Sequence, residues 1–313
     1  MNELESLTVN KSQKVKPTGY WTFFCNPKKW YIDQFILSGE IEDSFAVSEY
    51  HKEDFKPGQL GVIRVGHDRR TKKQLVGKKK LERGIYAVVE ILDSAKPLKG
   101  TKKKYWEEEG DADKVRYRVP IRYIKSLLRT PILLDNLDLS SEEYDKYLIE
   151  GQQGSSMPLN RLAFKKIIDL VGGSDTLELV FNESNADNDS IAKLEKKYGE
   201  AVPEVKERIS KYIERGSIAQ KYKRRTGFKC QVCEALNLEP YSFKKTNGEY
   251  YVETHHIIPV SELQAGSLST NNLLTVCANH HRQIHYGDFN LQEINKDKFI
   301  FKVDNKTIVV NKI

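Results

Sequence analysis

Cys230-Gln231-Val232-Cys233, then Glu253-Thr254-His255-His256-Ile257-Ile258-Pro259, then Cys277-Ala278-Asn279-His280-His281 with His285 four residues on, decide how this 313-residue chain is read. The stretch from Cys230 to His285 holds three of the four cysteines and five of the seven histidines. Thiolate and imidazole suit zinc, and each C-x-x-C or C-x-x-H turn presents two ligands to one face of a tetrahedron. Cys230, Cys233, Cys277 and His280 complete such a tetrahedron, which leaves no open position and makes that Zn²⁺ structural. His255, His281 and His285 are then surplus. His281 and His285 share one helix face, and with His255 they form a second, open-sided cluster. A purely structural zinc module cannot use all of these histidines. A disulfide framework fits less well, because Cys25 lies far away in an aromatic segment and reads as a small buried apolar residue.

The order C-x-x-C, H-H-I-x-P, N-L (Asn272-Leu273), C-x-x-H-H-x-x-x-H resembles an HNH nuclease of the ββα-metal kind, over roughly residues 227–288. The resemblance implies that His256 is the general base and that Asn272 orients it. It implies that His255, His281 and His285 bind the catalytic metal, with Mg²⁺ or Mn²⁺ expected. His255 stands where many members carry Asp, and His280 where many carry a fourth zinc Cys, so softer catalytic metals also fit. Under this reading a neutral His256 takes the proton of water near pH 7. The metal polarises the phosphate and the leaving oxygen, and the Asn272 carbonyl accepts from the other ring nitrogen of His256. On a flat strand His255 and His256 point to opposite faces. Serving one site therefore predicts a distortion, such as a bulge before Pro259.

Charge is uneven along the chain. The formal net charge is +7, but residues 64–104 carry 14 basic against 4 acidic side chains, 206–245 carry 11 against 4, and 174–204 carry 3 against 8. Two basic blocks around an acidic connector fit two surfaces for a polyanion. Lys72, Lys73, Lys78, Lys79 and Lys80 in the first block, and Lys223, Arg224 and Arg225 in the second, are candidates for backbone phosphates. No apolar run approaches the roughly 20 residues of a membrane span, and no leader pattern opens the sequence. A cytoplasmic protein without a membrane partner is the expectation.

Four segments follow: a flexible arm over 1–17, a domain over 18–172, an acidic linker over 173–202 and a nuclease domain over 203–313. Within the second, Tyr20–Cys25, Phe45–Val47, Leu60–Val65, Gly84–Leu92 and Val115–Ile124 read as strands. Trp30–Leu37, Glu142–Leu148 and Leu159–Leu170 read as helices, and Arg69–Lys80 as a basic loop. Many strands with few short helices predict a small, partly open β-barrel. In the linker, Ile191–Tyr198 reads as a short helix. Beyond it Pro203–Arg215 and Ser217–Arg225 read as helices. Asn247-Gly248 reads as a hairpin turn within Tyr241–Val252, and Phe299–Val303 with Thr307–Val310 as a closing hairpin.

The W-x-F-F-x-N-P opening (Trp21 to Pro27), the F-x-P-G-Q-L-G-V run (Phe55 to Val62), Gly84-Ile85-Tyr86-Ala87-Val88-Val89-Glu90 and Gly151-Gln152-Gln153-Gly154 resemble an EVE domain of the PUA-like superfamily. That resemblance implies a reader that takes a modified base out of double-stranded DNA. Trp21, Phe24, Trp30 and Tyr50 would wall the pocket, and Asn26 and Ser48 would read polar edges. The fold class is thus α+β, a PUA-like barrel followed by a zinc-stabilised ββα-metal domain. The fusion resembles restriction endonucleases that cut DNA carrying 5-methylcytosine or its hydroxymethyl form, acting as homodimers because one site cuts one strand. The rivals are an HNH nuclease or nickase aimed at RNA or damaged bases, and a non-catalytic zinc-containing nucleic-acid-binding protein.

Overall fold

The computed structural model describes residues 15–177, 193–194, 196–258 and 270–313. Most of the expected arm, most of the acidic connector with the start of its helix, and Pro259 lie outside the described residues. The chain divides into two compact units, Met1–Glu178 and Leu179–Ile313.

In the first unit the elements run β1 (Tyr20–Cys25), α1 (Ile32–Leu37), β2 (Glu42–Ala46), β3 (Leu60–Val65), α2 (Lys72–Leu75), β4 (Gly84–Ile91), β5 (Lys96–Leu98), α3 (Glu109–Ala112), β6 (Arg116–Ser126), β7 (Ile132–Leu133), α4 (Lys146–Glu150), β8 (Ser156–Pro158) and α5 (Arg161–Leu170). They build one eight-stranded sheet in the order β2-β6-β4-β3-β1-β8, with β5 beside β6 and β7 beside β4. β1 and β3 pair in parallel, from Tyr20 opposite Leu60 to Cys25 opposite Val65. Register shifts at Ile63/Arg64 and at Val88/Val89 curl the sheet, as bulges do, into a half-barrel. Every residue of β3 and β4 is buried, the charged Arg64 and Glu90 included, and the rest of each strand is apolar or glycine. β1 packs so close to β3 that a Cβ at Gly61 would meet the Phe23 ring at 2.7 Å and the Trp21 carbonyl oxygen at 2.9 Å. The basic segment expected as a loop contains α2, opened by a capping box between Thr71 and Gln74.

Beneath the sheet Arg70 is 2% exposed. Its Nη1 donates to Asp33 of α1 at 3.0 Å, and its Nη2 to Asp68 at 2.7 Å. One guanidinium thus ties α1 to the β3–β4 connection. Arg70→Ala would strand two buried carboxylates, and removing one partner of such a pair costs about 3–5 kcal/mol. Urea unfolding of the first unit is expected to show that loss, and an unchanged midpoint would refute it.

The second unit opens with α6 (Pro203–Arg215) and α7 (Ser217–Arg225). Val205, Ile209 and Ile213, spaced four apart, form the buried face of α6. Gly216 turns extended between the helices, and the junction takes glycine because a Cβ there would meet the Tyr212 carbonyl oxygen at 2.9 Å. Then come α8 (Gln231–Ala235), β9 (Glu253–His256), β10 (Leu273–Val276), α9 (Ala278–Tyr286), β11 (Phe289–Ile294), β12 (Lys298–Val303) and β13 (Lys306–Asn311). The core gathers Cys230, Val232, Leu274 and Val276 with Phe299, Phe301, Ile308 and Val310. The closing hairpin forms around Asp304 and Asn305, both at positive φ. A third strand, β11, joins it; its middle residues are exposed, so it carries little apolar signal. The Asn247-Gly248 hairpin contracts to one bridge, Lys244 opposite Tyr250.

Candidate functional site

Two ligand clusters lie on either side of α9. Cys230 caps α8, its Sγ accepting from the Cys233 amide at 3.3 Å. His280 Nδ1 stands 3.4 Å from Cys230 Sγ, 3.3 Å from Cys233 Sγ and 3.4 Å from Cys277 Sγ, and the Cys233 and Cys277 sulfurs are 4.0 Å apart. Tetrahedral zinc bonds of 2.0–2.3 Å imply edges of roughly 3.5–3.8 Å, so the four donors surround a point suited to that ion. Burial raises the Cys230 and Cys233 thiols above the ordinary cysteine value; for Cys233 the neighbouring sulfurs push the same way, while for Cys230 hydrogen bonds from the Cys233 and Cys277 amides oppose the rise. Such a cluster ionises when a cation compensates it.

The second cluster is His255, His281 and His285, whose ligand atoms lie within 4.8 Å of one another. His281 Nε2 is 3.2 Å from His255 Nδ1. Burial, followed by the nearby imidazoles and opposed by Glu214, lowers the His255 pKa to about 4. Its ring is therefore neutral at pH 7 and keeps one nitrogen lone pair for a cation. Glu253 pairs with His281 Nδ1 and accepts from the Tyr251 hydroxyl, which aims Nε2 of His281 at the cluster. His285 is exposed, so the cluster opens to solvent. Imidazoles on one open face fit a catalytic divalent ion.

His256 differs from expectation in two ways. β9 and β10 pair in unbroken register, His256 opposite Leu273 and His255 opposite Leu274, so no bulge intervenes within the strand. His255 turns toward α9 while His256 is buried against α6. Its Nδ1 lies 2.8 Å from Glu214 Oε1 and 2.9 Å from Ser210 Oγ. At the far end of the ring Nε2 is buried with no partner among the described residues. Asn272, expected to accept from that ring, instead bonds the segment just after it: Oδ1 accepts from the Ile258 amide at 2.8 Å, and Nδ2 donates to the Ile258 carbonyl at 3.0 Å. The ring nitrogen assigned to Asn272 is already engaged from α6. Burial pushes the Glu214 carboxyl up, but the hydrogen bond and charge of His256 outweigh it and hold the pKa below the usual value. Glu214 precedes His256 by 42 residues, and no motif spacing marks it.

In the first unit a cavity of about 860 Å³ is lined by Phe24, Asn26 and Trp30. Three other expected pocket residues lie elsewhere. Trp21 is fully buried, stacks on Phe55 at 4.0 Å and donates to Gln59 at 2.7 Å, so it is core. Ser48 caps a short 3₁₀ turn by accepting from the Tyr50 amide, and Tyr50 is exposed; neither lines the cavity. Trp106, Ser44, Arg64 and Arg118 do, contributed by distant segments. Arg118 sits over Trp106 at 5.2 Å, and Arg64 over Phe24 at 5.7 Å. Trp30 Nε1, Ser44 Oγ and Arg118 Nε are buried polar atoms without a partner among the described residues. Asp43 also lines the cavity, and burial pushes its carboxyl up despite a bond from Thr101.

Lys72, Lys73, Lys78, Lys79 and Lys80 are exposed on and after α2. At the end of α7 Arg224 and Arg225 are exposed, while Lys223 is half-buried and lowered by burial and then by Lys245. Among the described residues no helix is long and apolar enough to cross a membrane.

The EVE domain model matches residues 19–170 and the HNH endonuclease model residues 230–287. The first span encloses the cavity and the second both ligand clusters. No curated protein matches the chain. Among solved structures, a protein of Agrobacterium tumefaciens is 18% identical, with 49% of this chain and 93% of that chain covered and a TM-score of 0.33. A hypothetical protein from Leishmania major is 16% identical, with 48% and 92% covered and a TM-score of 0.33. Human THYN1, in complex with 5-methylcytosine-containing DNA, is 13% identical, with 49% and 97% covered and a TM-score of 0.33. The chain is a phosphodiester-hydrolysing nuclease in which an EVE domain precedes an HNH endonuclease domain.

Proposed function

We propose that this nuclease is a modification-dependent endonuclease for double-stranded DNA carrying 5-methylcytosine or 5-hydroxymethylcytosine. The observation that carries the reading is a cavity with aromatic walls and unspent buried hydrogen-bonding atoms, in a chain that also holds an open histidine cluster. Extruding a base costs a few kcal/mol. Stacking on Trp106 and Trp30 offsets about 1–3 kcal/mol per base, and Trp30 Nε1, Ser44 Oγ and Arg118 Nε are available for its polar edge. Arg64 lines the same cavity but is buried, its Nε and Nη2 donating to the Leu148 and Ile149 carbonyls, so it shapes the wall.

In the second unit Cys230, Cys233, Cys277 and His280 hold structural zinc. His255, His281 and His285 hold the catalytic divalent cation, which when bound supplies Lewis-acid charge to the phosphate. Glu253 keeps His281 turned inward. His256, protonated on Nδ1, offers Nε2 to accept the proton of the attacking water. Asn272 fixes the backbone at Ile258, directly after the base. Lys72, Lys73, Lys78, Lys79, Lys80, Lys223, Arg224 and Arg225 hold the duplex without reading sequence. A double-strand cut uses two copies of the chain, one site per strand.

The test is cleavage of one plasmid in unmodified, cytosine-methylated and hydroxymethylated forms, with Mg²⁺, Mn²⁺ or EDTA. Cutting confined to a modified form and stopped by EDTA is expected. Equal cutting of all forms would sink the modified-base reading and keep the nuclease. Trp106→Ala is expected to weaken binding of modified DNA roughly 5- to 150-fold, the loss of one stacking wall, with little change on unmodified DNA. A fluorescence-anisotropy titration with equal loss on both duplexes would remove Trp106 from the pocket.

A further inference from the structure

We propose that Glu214, on a helix upstream of the matched HNH segment, is the positioning residue that fixes the ring of His256. The inference rests on His256 being the general base of the nuclease.

The ring needs an anchor of its own. Among the described residues no histidine of the metal cluster bonds the ring of His256, so the cluster does not orient it. Asn272 is spent on the Ile258 backbone. What meets the ring is α6: Glu214 Oε1 at 2.8 Å and Ser210 Oγ at 2.9 Å, both at Nδ1. Ser210 Oγ donates to Glu214 Oε1 at 3.3 Å, so its hydroxyl proton points to the carboxylate and its lone pairs face the ring. Both neighbours of Nδ1 are therefore acceptors, and Nδ1 carries the proton. The lone pair is left on Nε2, the nitrogen that is buried and unpartnered among the described residues.

Glu214 also holds the backbone that carries the ring. Its Oε1 accepts from the His256 amide at 3.2 Å, and its main-chain oxygen accepts from Thr254 Oγ1 at 2.7 Å. One residue thus sets the tautomer, the ring direction and the strand end together. A carboxylate on the far nitrogen of a catalytic imidazole is a general way to fix its tautomer.

The experiment uses the full zinc-loaded chain, methylated plasmid and Mn²⁺, with Glu214→Ala, Glu214→Gln and Ser210→Ala. Glu214→Ala is expected to lower kcat about 100-fold with KM and DNA affinity within about threefold. Glu214→Gln retains a carbonyl acceptor for Nδ1–H and is expected to recover most of the loss. Ser210→Ala, with the main acceptor intact, is expected to stay within about tenfold. ¹⁵N NMR should place the His256 proton on Nδ1 in the wild type and in Glu214→Gln, and show exchange between the two nitrogens in Glu214→Ala. A Glu214→Ala kcat within threefold of wild type, or a wild-type proton on Nε2, would overturn the assignment. Should Glu214→Ala fail to fold, the wild-type tautomer and the Gln variant decide. Failure of the wild type to cut any substrate would count against the nuclease reading alone, because the tautomer measurement does not depend on cleavage.

Discussion

His256→Ala is expected to lower the single-turnover cleavage rate about 10³-fold or more while modified DNA still binds. A positioned general base contributes about 10²–10⁴-fold, and the described structure offers no substitute at that place. The other imidazoles of the unit are committed: His280 to the sulfur cluster, and His255, His281 and His285 to one another. Binding should persist because the cavity and the exposed lysines near α2 belong to the other unit. The zinc content should also persist, since His256 lies outside the four-donor cluster. The measurement is rapid-quench cleavage beside anisotropy and metal analysis of the same preparation. Unchanged cutting would remove His256 as the base. Lost binding together with lost cutting would mean that the substitution acted through folding. His255→Ala makes a useful contrast, because it should weaken affinity for the catalytic metal, so added Mn²⁺ should recover part of its rate.

The second large effect is expected from removing the structural zinc. A strong chelator, or Cys233→Ser, should unfold the second unit and leave the first with its own melting transition. Zinc contributes about 10–16 kcal/mol in small modules folded around it, more than the about 5–15 kcal/mol that a whole domain holds in reserve. The dependence follows from where the sulfurs lie. Cys230 and Cys233 are core residues, packed with Val232, Leu274 and Val276 against Phe299 and Phe301. Without a cation their thiols would have to sit protonated in a cluster of lone pairs that no hydrogen-bond donor fully satisfies. Calorimetry with and without chelator checks this. A second unit that melts unchanged after metal analysis confirms zinc removal would show the cluster to be dispensable.

The sequence disclosed some parts of the site better than others, for physical reasons. The sulfur and histidine clusters are built from short spacings, a C-x-x-C turn and an i, i+4 helix pair, and those spacings alone place side chains together. The ends of α6 and α7 were legible because Pro203 and Gly216 act locally on the backbone. Trp21 and Phe24 could not be separated in advance. β1 is buried on both faces, so alternation did not tell the core side from the cavity side. Trp106, Ser44 and Arg118 were missed because they come from three separated segments, and only the folded sheet sets them around one cavity. Ser48 and Tyr50 looked available for a ligand, yet local turn chemistry claimed the serine. Glu214 carried no mark in the sequence at all, since a glutamate on an amphipathic helix looks like solvated surface until its partner across the fold is known.

The same glutamate has a consequence for how the protein behaves in concentrated solution. Among the described residues β9 pairs with β10 alone, so its other side is an open edge there. An open edge invites a strand from another molecule, and natural sheets blunt such edges with charge or cover them with a helix. Here the amide of His256 is taken by the Glu214 carboxylate, and α6 lies over the strand. A chain shortened to the matched nuclease segment would lose that cover and present an unprotected β-edge next to Ile257 and Ile258. Such a fragment is prone to self-association, and the protecting helix sets the practical lower limit of a well-behaved nuclease unit.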